Sequence, residues 1–109
     1  TQTIALFDID SNQDQVAIYL SITGSKAGGG FGYAQWHALI GAYNDSGTLV
    51  FTSATTTATS LLTVGSAMGA PIITASADGT KVKLEIYMPN AYARYAIKVS
   101  SAGYIASME

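Results

Sequence analysis

The chain has 109 residues, of which 11% are charged, with a net charge of -2 and no cysteine. That length suits one domain with a single buried core, and the missing cysteines exclude disulfides, thiolate zinc sites and cysteine nucleophiles while leaving the redox compartment open. Five scattered Lys and Arg residues do not supply the clustered charge that nucleic acid requires, and no apolar run approaches the roughly 18 residues of a membrane-spanning helix. An average soluble domain is roughly 25% charged. Here Ser, Thr, Ala and Gly stand in for the missing charge, and such a surface suits assembly with other copies or a neutral ligand, because interface cores are depleted in charge. The chain opens on Thr1 rather than methionine, as expected of a processed product or a piece of a longer chain.

Alternation with period two dominates, so the predicted elements are strands. "TIALFDI" opens the series. The run "DIDSNQD" then sets Asp8, Asp10, Asn12 and Asp14 at alternate positions, as hard oxygen ligands stand in a calcium loop. The match stops there: Gln13 replaces the turn glycine, and Tyr19 stands where the closing bidentate glutamate belongs. A partial, loop-type ion site and a solvated connection between strands are the two readings left. No metal and no cofactor are expected.

In "QVAIYLSIT", Val16, Ile18, Leu20 and Ile22 fall on one face and Ala17, Tyr19, Ser21 and Thr23 on the other, the pattern of a half-buried strand. The stretch "GSKAGGGFGYAQWHA" follows. A phosphate loop would place its lysine after the glycines and lead into a helix. Lys26 precedes Gly28, Gly29 and Gly30, and a strand-like run follows, so the glycines are predicted at the tip of a long hairpin joining Ile22 to Trp36. In that second strand Trp36, Ala38, Ile40 and Ala42 share one face, and Tyr33, Gln35, His37 and Leu39 the other. The alanines beside Trp36 leave room for its ring, which assigns it to the core rather than to a sugar platform. His37 has no second histidine or cysteine to share a metal. No Gly-x-Ser-x-Gly elbow supplies a nucleophile, so ordinary hydrogen bonding at a surface or interface is its expected role.

The turn "NDSG" leads into "TLVFTSA". "TTTATSLLTVGSAMGA" carries no single period: its Thr-rich half suits an extended edge, and Leu61 to Met68 suits a strand or one helical turn. "PIITAS" and "TKVKLEIYM" flank "ADGT", with Asp78 and Gly79 placed for a tight hairpin. The second of these runs turns Val82, Leu84, Ile86 and Met88 inward, and Lys81, Lys83, Glu85 and Tyr87 outward. "RYAIKVS" sets Tyr95, Ile97 and Val99 against Arg94, Ala96 and Lys98, with "PNAY" as the turn of a hairpin between these last two strands and "GYIAS" as a final short strand. Arg94, between Tyr92 and Tyr95, has two readings: a guanidinium and aromatic faces offered to a glycan, or a cross-strand pair with Glu85. Thr1 as an N-terminal nucleophile has no supporting residues nearby. The expected fold is an all-β, antiparallel β-sandwich or jelly-roll of about eight strands in one domain spanning residues 1–109.

The segments "DGTKVKLEIYMPNAYARYAIKVSSAGYI" and "VAIYLSITGSKAGGGFGYAQWHALIGAYNDSG" resemble the closing and opening hairpins of small β-sandwich domains at the C-termini of bacteriophage tailspikes and tail fibres. Together they cover roughly half of the chain. The resemblance implies a homotrimeric, non-catalytic domain at the distal end of a fibre, assembled in the host cytoplasm and carried on the virion. It also implies contact with bacterial surface polysaccharide, for which Tyr33, His37, Tyr92 and Arg94, with the loop of Gly28, Gly29 and Gly30, are the candidate residues. Outward Ala17, Tyr19, Ala96 and Tyr87 are the candidate contacts between subunits. A hydrolase would need paired carboxylates in a cleft, whereas the acids here fall mostly in turns and at ends. The alternative is a monomeric carbohydrate-binding module or adhesin domain presenting a flat aromatic strip.

Overall fold

A computed structural model describes residues 2–9, 12–26, 30–89 and 94–104. It is an antiparallel β-sandwich of nine strands: β1 (Gln2–Asp8), β2 (Gln15–Lys26), β3 (Gly32–Asp45), β4 (Thr48–Phe51), β5 (Thr55–Thr57), β6 (Thr59–Gly65), β7 (Ile72–Asp78), β8 (Lys81–Tyr87) and β9 (Arg94–Tyr104). One sheet has the order β1-β8-β7-β5. The other runs β4-β3-β2-β9, with β6 also paired to β3. β3 is long enough to hold two partners end to end on one edge, β6 along residues 32–37 and β4 along residues 42–45.

The alternation dictates the core. Val16, Ile18, Leu20 and Ile22 of β2 and Ala34, Trp36, Ala38, Ile40 and Ala42 of β3 point inward, meeting Ile73 and Ala75 of β7 and Val82, Leu84 and Ile86 of β8 in one buried cluster. Trp36 is only 2% exposed, which places it in the core as its alanine neighbours imply. Full burial of each large aliphatic side chain contributes about 1.5–3 kcal/mol. This inner layer is the principal source of stability.

Three hairpins follow the turn chemistry. β2 and β3 pair without a break from Gln15↔Tyr43 to Lys26↔Gly32, the long hairpin expected between Ile22 and Trp36. Ser46 and Gly47 join β3 to β4 with φ of 53° and 94°. Two successive positive φ angles define a type I′ turn, whose twist matches that of paired strands. β7 and β8 meet at Asp78↔Lys81, around Gly79 and Thr80. The threonine tract gives the edge strand β5, and the stretch after it continues as β6 rather than as a helical turn. Gly103 and Tyr104 of the expected final strand continue β9, and the rest of that run lies outside the described residues.

The expected hairpin between "TKVKLEIYM" and "RYAIKVS" does not form. β8 is flanked by β1 and β7, whereas β9 pairs with β2 in the opposite layer. Both edges of β8 are filled, by β1 and β7, and β9 takes the edge of β2 that β3 leaves open. Glu85 and Arg94 therefore belong to different sheets, and a cross-strand pair between them is excluded by the topology.

The segment tested for calcium serves as a staple. Asn12 Oδ1 accepts the Ser46 N–H at 2.7 Å, and the buried Asn44 donates through Nδ2 to the Ile9 carbonyl at 2.6 Å while its Oδ1 accepts the Gly47 N–H at 2.7 Å. These bonds tie the β1–β2 connection to the β3–β4 turn. Asp8 Oδ1 accepts the Thr80 hydroxyl at 3.2 Å, Asp14 is buried, and Asp10 lies outside the described residues. Among the described residues no three His, Cys, Asp or Glu side chains group to hold a metal ion.

Candidate functional site: the outer face of the β2–β3–β9 sheet

The two sheets differ on the sides they turn away from the core. β8 presents Lys81, Lys83, Glu85 and Tyr87, and β7 presents Thr74, Ser76 and Asp78, which is an ordinary solvated face. The opposite face is different. Strand register across β9, β2 and β3 arranges its side chains in rows: Arg94–Ser25–Tyr33, then Ala96–Thr23–Gln35, Lys98–Ser21–His37 and Ser100–Tyr19–Leu39. Val64 and Leu62 of β6 extend the first two rows beyond β3, and Val50 stands beside Tyr43 at the far end.

Two halves result. The half near the β3–β4 turn is apolar: Tyr19 and Tyr43 are exposed, and Leu39, at 67% exposure, stands free of the core. The half near the glycine loop is polar and cationic across β9, β2 and β3, and is bordered by the exposed Leu62 and Val64 of β6. There Arg94 and Lys98 carry the charge, and no Asp or Glu occupies the rows from Tyr33 to Tyr43. Asp45 holds the far corner, at the end of β3.

Of the sequence-predicted residues, Tyr33 and Arg94 come together. Both border Ser25, and with Thr23, Gly24, Tyr95 and Ala96 they line a shallow depression of about 250 Å³. Gln35 Nε2 donates to the Tyr33 hydroxyl oxygen at 2.8 Å, and the Tyr95 hydroxyl donates to Gln2 Oε1 at 2.9 Å, which fastens the β9 edge to β1. His37 lies two rows away. Its ring meets Tyr19 edge to face, with centroids 6.0 Å apart and planes at 78°, and its cross-strand neighbour is Ser21. No carboxylate joins that pair in its row or the rows beside it, so no Ser-His-Asp set is assembled there.

Gly30 has φ of 106°, a conformation that glycine adopts without strain, and the base of its loop is closed by the Ser66 N–H donating to the Phe31 carbonyl at 2.8 Å. Gly28, Gly29 and Tyr92 lie outside the described residues. Of the four expected subunit contacts, Ala17, Tyr19 and Ala96 share the outer face of the β2–β3–β9 sheet, whereas Tyr87 is on the other sheet. Alternation assigns each side chain to one side of its own strand. It does not assign strands to layers.

Leu62, Val64, Thr23 and Ser25 belong to this face and were not singled out by sequence reasoning. The bulge at Leu61, where Gln35 pairs with Leu62 but Trp36 pairs with Ser60, hides the period of β6. For Thr23 and Ser25 a signal existed, since both lie on the polar side of the alternation that continues from Tyr19. No family model matches the chain, and no match is found among curated proteins or solved structures.

Proposed function

We propose that this chain is a non-catalytic assembly and recognition domain of the kind that ends phage tailspikes and tail fibres. In this reading it forms a homotrimer at the fibre tip of a virion and touches bacterial surface polysaccharide. The observation that carries the reading is the contrast between the two outer faces. One carries Lys81, Lys83, Glu85 and Asp78 with a single exposed aromatic, Tyr87, whereas the other clusters Tyr19, Leu39 and Tyr43 exposed together. Clustered exposed apolar residues mark interaction surfaces, and the scarcity of charge around them is the composition of an interface core.

The two halves divide the work. The tyrosine and leucine half contacts neighbouring subunits, and the Arg94–Tyr33 half beside the glycine loop faces the polysaccharide. Each sugar contact is weak alone. Three copies on one fibre convert later contacts into effectively intramolecular ones and raise the avidity. Light scattering across a dilution series tests the assembly: a mass three times that of the chain, persistent on dilution, is expected, and a monomer at every concentration overturns it.

A second reading has its own support, because the Arg94–Tyr33 depression is complete within one chain. A monomeric carbohydrate-binding module or adhesin domain needs no more than that. It predicts saccharide binding by a species with the mass of a single chain.

A further inference from the structure

We propose that the depression between Arg94 and Tyr33 is a subsite for an anionic saccharide, one whose sugar ring carries a carboxylate or a sulfate ester. This inference rests on the reading of that half of the face as the saccharide-contacting one, and it adds the charge class of the ligand.

Ser25 of β2 is the partner of both Arg94 on β9 and Tyr33 on β3, so a guanidinium, a hydroxyl and a phenol stand side by side on a rigid sheet rather than on loops. A guanidinium is charged at every physiological pH, offers a planar fork of donors, and matches an oxyanion with two parallel hydrogen bonds. Such a group usually spends its charge on a neighbouring carboxylate. Here the adjoining rows hold Ala96, Thr23, Gln35, Lys98, Ser21 and His37, none of them acidic.

The wider charge pattern agrees. The chain is net negative, yet Asp8, Asp45 and Asp78 stand, with Lys81, at the end of the sandwich formed by the β3–β4 and β7–β8 turns, and Glu85 lies on the outer face of the other sheet. Lys26 ends β2 at the opposite end, next in sequence to Ser25. An anion approaching the depression therefore meets positive charge locally, although the molecule as a whole would repel it.

The remaining lining selects a sugar rather than a bare anion. The Tyr33 oxygen already accepts a bond from Gln35, so its O–H is left to donate to a ligand hydroxyl or ring oxygen. Thr23 and Ser25 add hydroxyls that both donate and accept. The Tyr33 ring supplies apolar area against which the C–H face of a pyranose packs. A depression of about 250 Å³ is the scale of one or two sugar rings and is too shallow to enclose a drug-sized ligand.

The test uses the full chain, with backbone amide shifts followed by NMR. Oligosaccharides of the galactose and glucose series are titrated in three forms: neutral, as uronates, and as sulfate esters. The expected result is saturable shifts at Thr23, Ser25, Tyr33 and Arg94 with at least one charged form, the neutral counterpart binding on the order of tenfold more weakly. Arg94→Gln is expected to abolish that difference while leaving the remaining amide spectrum in place. A preference for uronate over sulfate ester, or the reverse, identifies which oxyanion the fork accepts. If neutral and charged forms bind equally at these residues, the anionic subsite is overturned while saccharide recognition stands. If acetate or inorganic sulfate alone gives the same shifts with the same affinity, the site holds an adventitious ion only, and the proposal falls. If no saccharide shifts these residues, both the subsite and the saccharide reading fall, and the mass measurement still decides assembly independently.

Discussion

The indole of Trp36 fills the space that a side chain at Gly24 would need: a Cβ there would lie 2.9 Å from Cζ3 and 3.3 Å from Cη2 of the ring. Gly24 faces inward from β2 and is buried against the largest side chain of the core. The ring has no room to retreat in a close-packed interior. Gly24→Ala is therefore expected to destabilise the fold by about 1–3 kcal/mol, the usual cost of overpacking. Trp36→Phe removes the offending edge, so the double variant should be more stable than the sum of the two single losses predicts. Urea unfolding of the four proteins in the cycle measures that coupling; strictly additive losses would contradict the contact.

Asn44 is the second internal constraint. Its side chain holds the Ile9 carbonyl and the Gly47 N–H, and it is 1% exposed. Asn44→Ala deletes both bonds and strands a carbonyl beside a buried residue, which should cost about 2–4 kcal/mol. Asn44→Asp keeps the acceptor for Gly47 and loses the donor to Ile9, placing a carboxylate against a carbonyl oxygen. Both variants should lower the urea midpoint. An unchanged midpoint in either would mean that the staple between the β1–β2 connection and the β3–β4 turn contributes nothing.

Ser46 sits at φ of 53°, in the left-handed region that β-carbons disfavour. Asparagine tolerates that region better, and Asn-Gly is the preferred pair for a type I′ turn. Ser46→Asn should raise stability by about 0.5 kcal/mol. The backbone N–H that donates to Asn12 is kept in the variant, so a loss of stability on thermal unfolding would refute the turn assignment.

Much of this fold was legible because alternation speaks directly to burial. Val16, Ile18, Leu20 and Ile22, like Val82, Leu84 and Ile86, lie inside as their spacing requires, and the strands on either side of the glycine run pair as the long β2–β3 hairpin. The pairing of β9 was not legible. Period two fixes which side of a strand is buried and says nothing about which strand lies beside it, so neighbours in sequence were read as neighbours in the sheet. The "PNAY" connection is longer than a two-residue turn and carries Pro89, which is a signal for a crossing between layers rather than a tight hairpin. The meeting of Arg94 with Tyr33 depends on that crossing. Their shared neighbour Ser25 becomes visible only when both registers of β2 are known.

In the proposed trimer the apolar half of the β2–β3–β9 face holds the subunits together. Leu39, exposed in the single chain and set between Tyr19 and the β3 edge, is the residue whose charge would disturb that contact and little else. Exposed substitutions of this kind usually change the stability of a lone chain by less than about 0.5 kcal/mol. The most direct measurement is light scattering of the wild type and of Leu39→Lys over the same dilution series, with circular dichroism to verify that the variant is folded. The wild type is expected at three times the chain mass and the folded variant at the mass of one chain. A wild type that is monomeric throughout, or a variant that stays trimeric, would contradict the proposed contact.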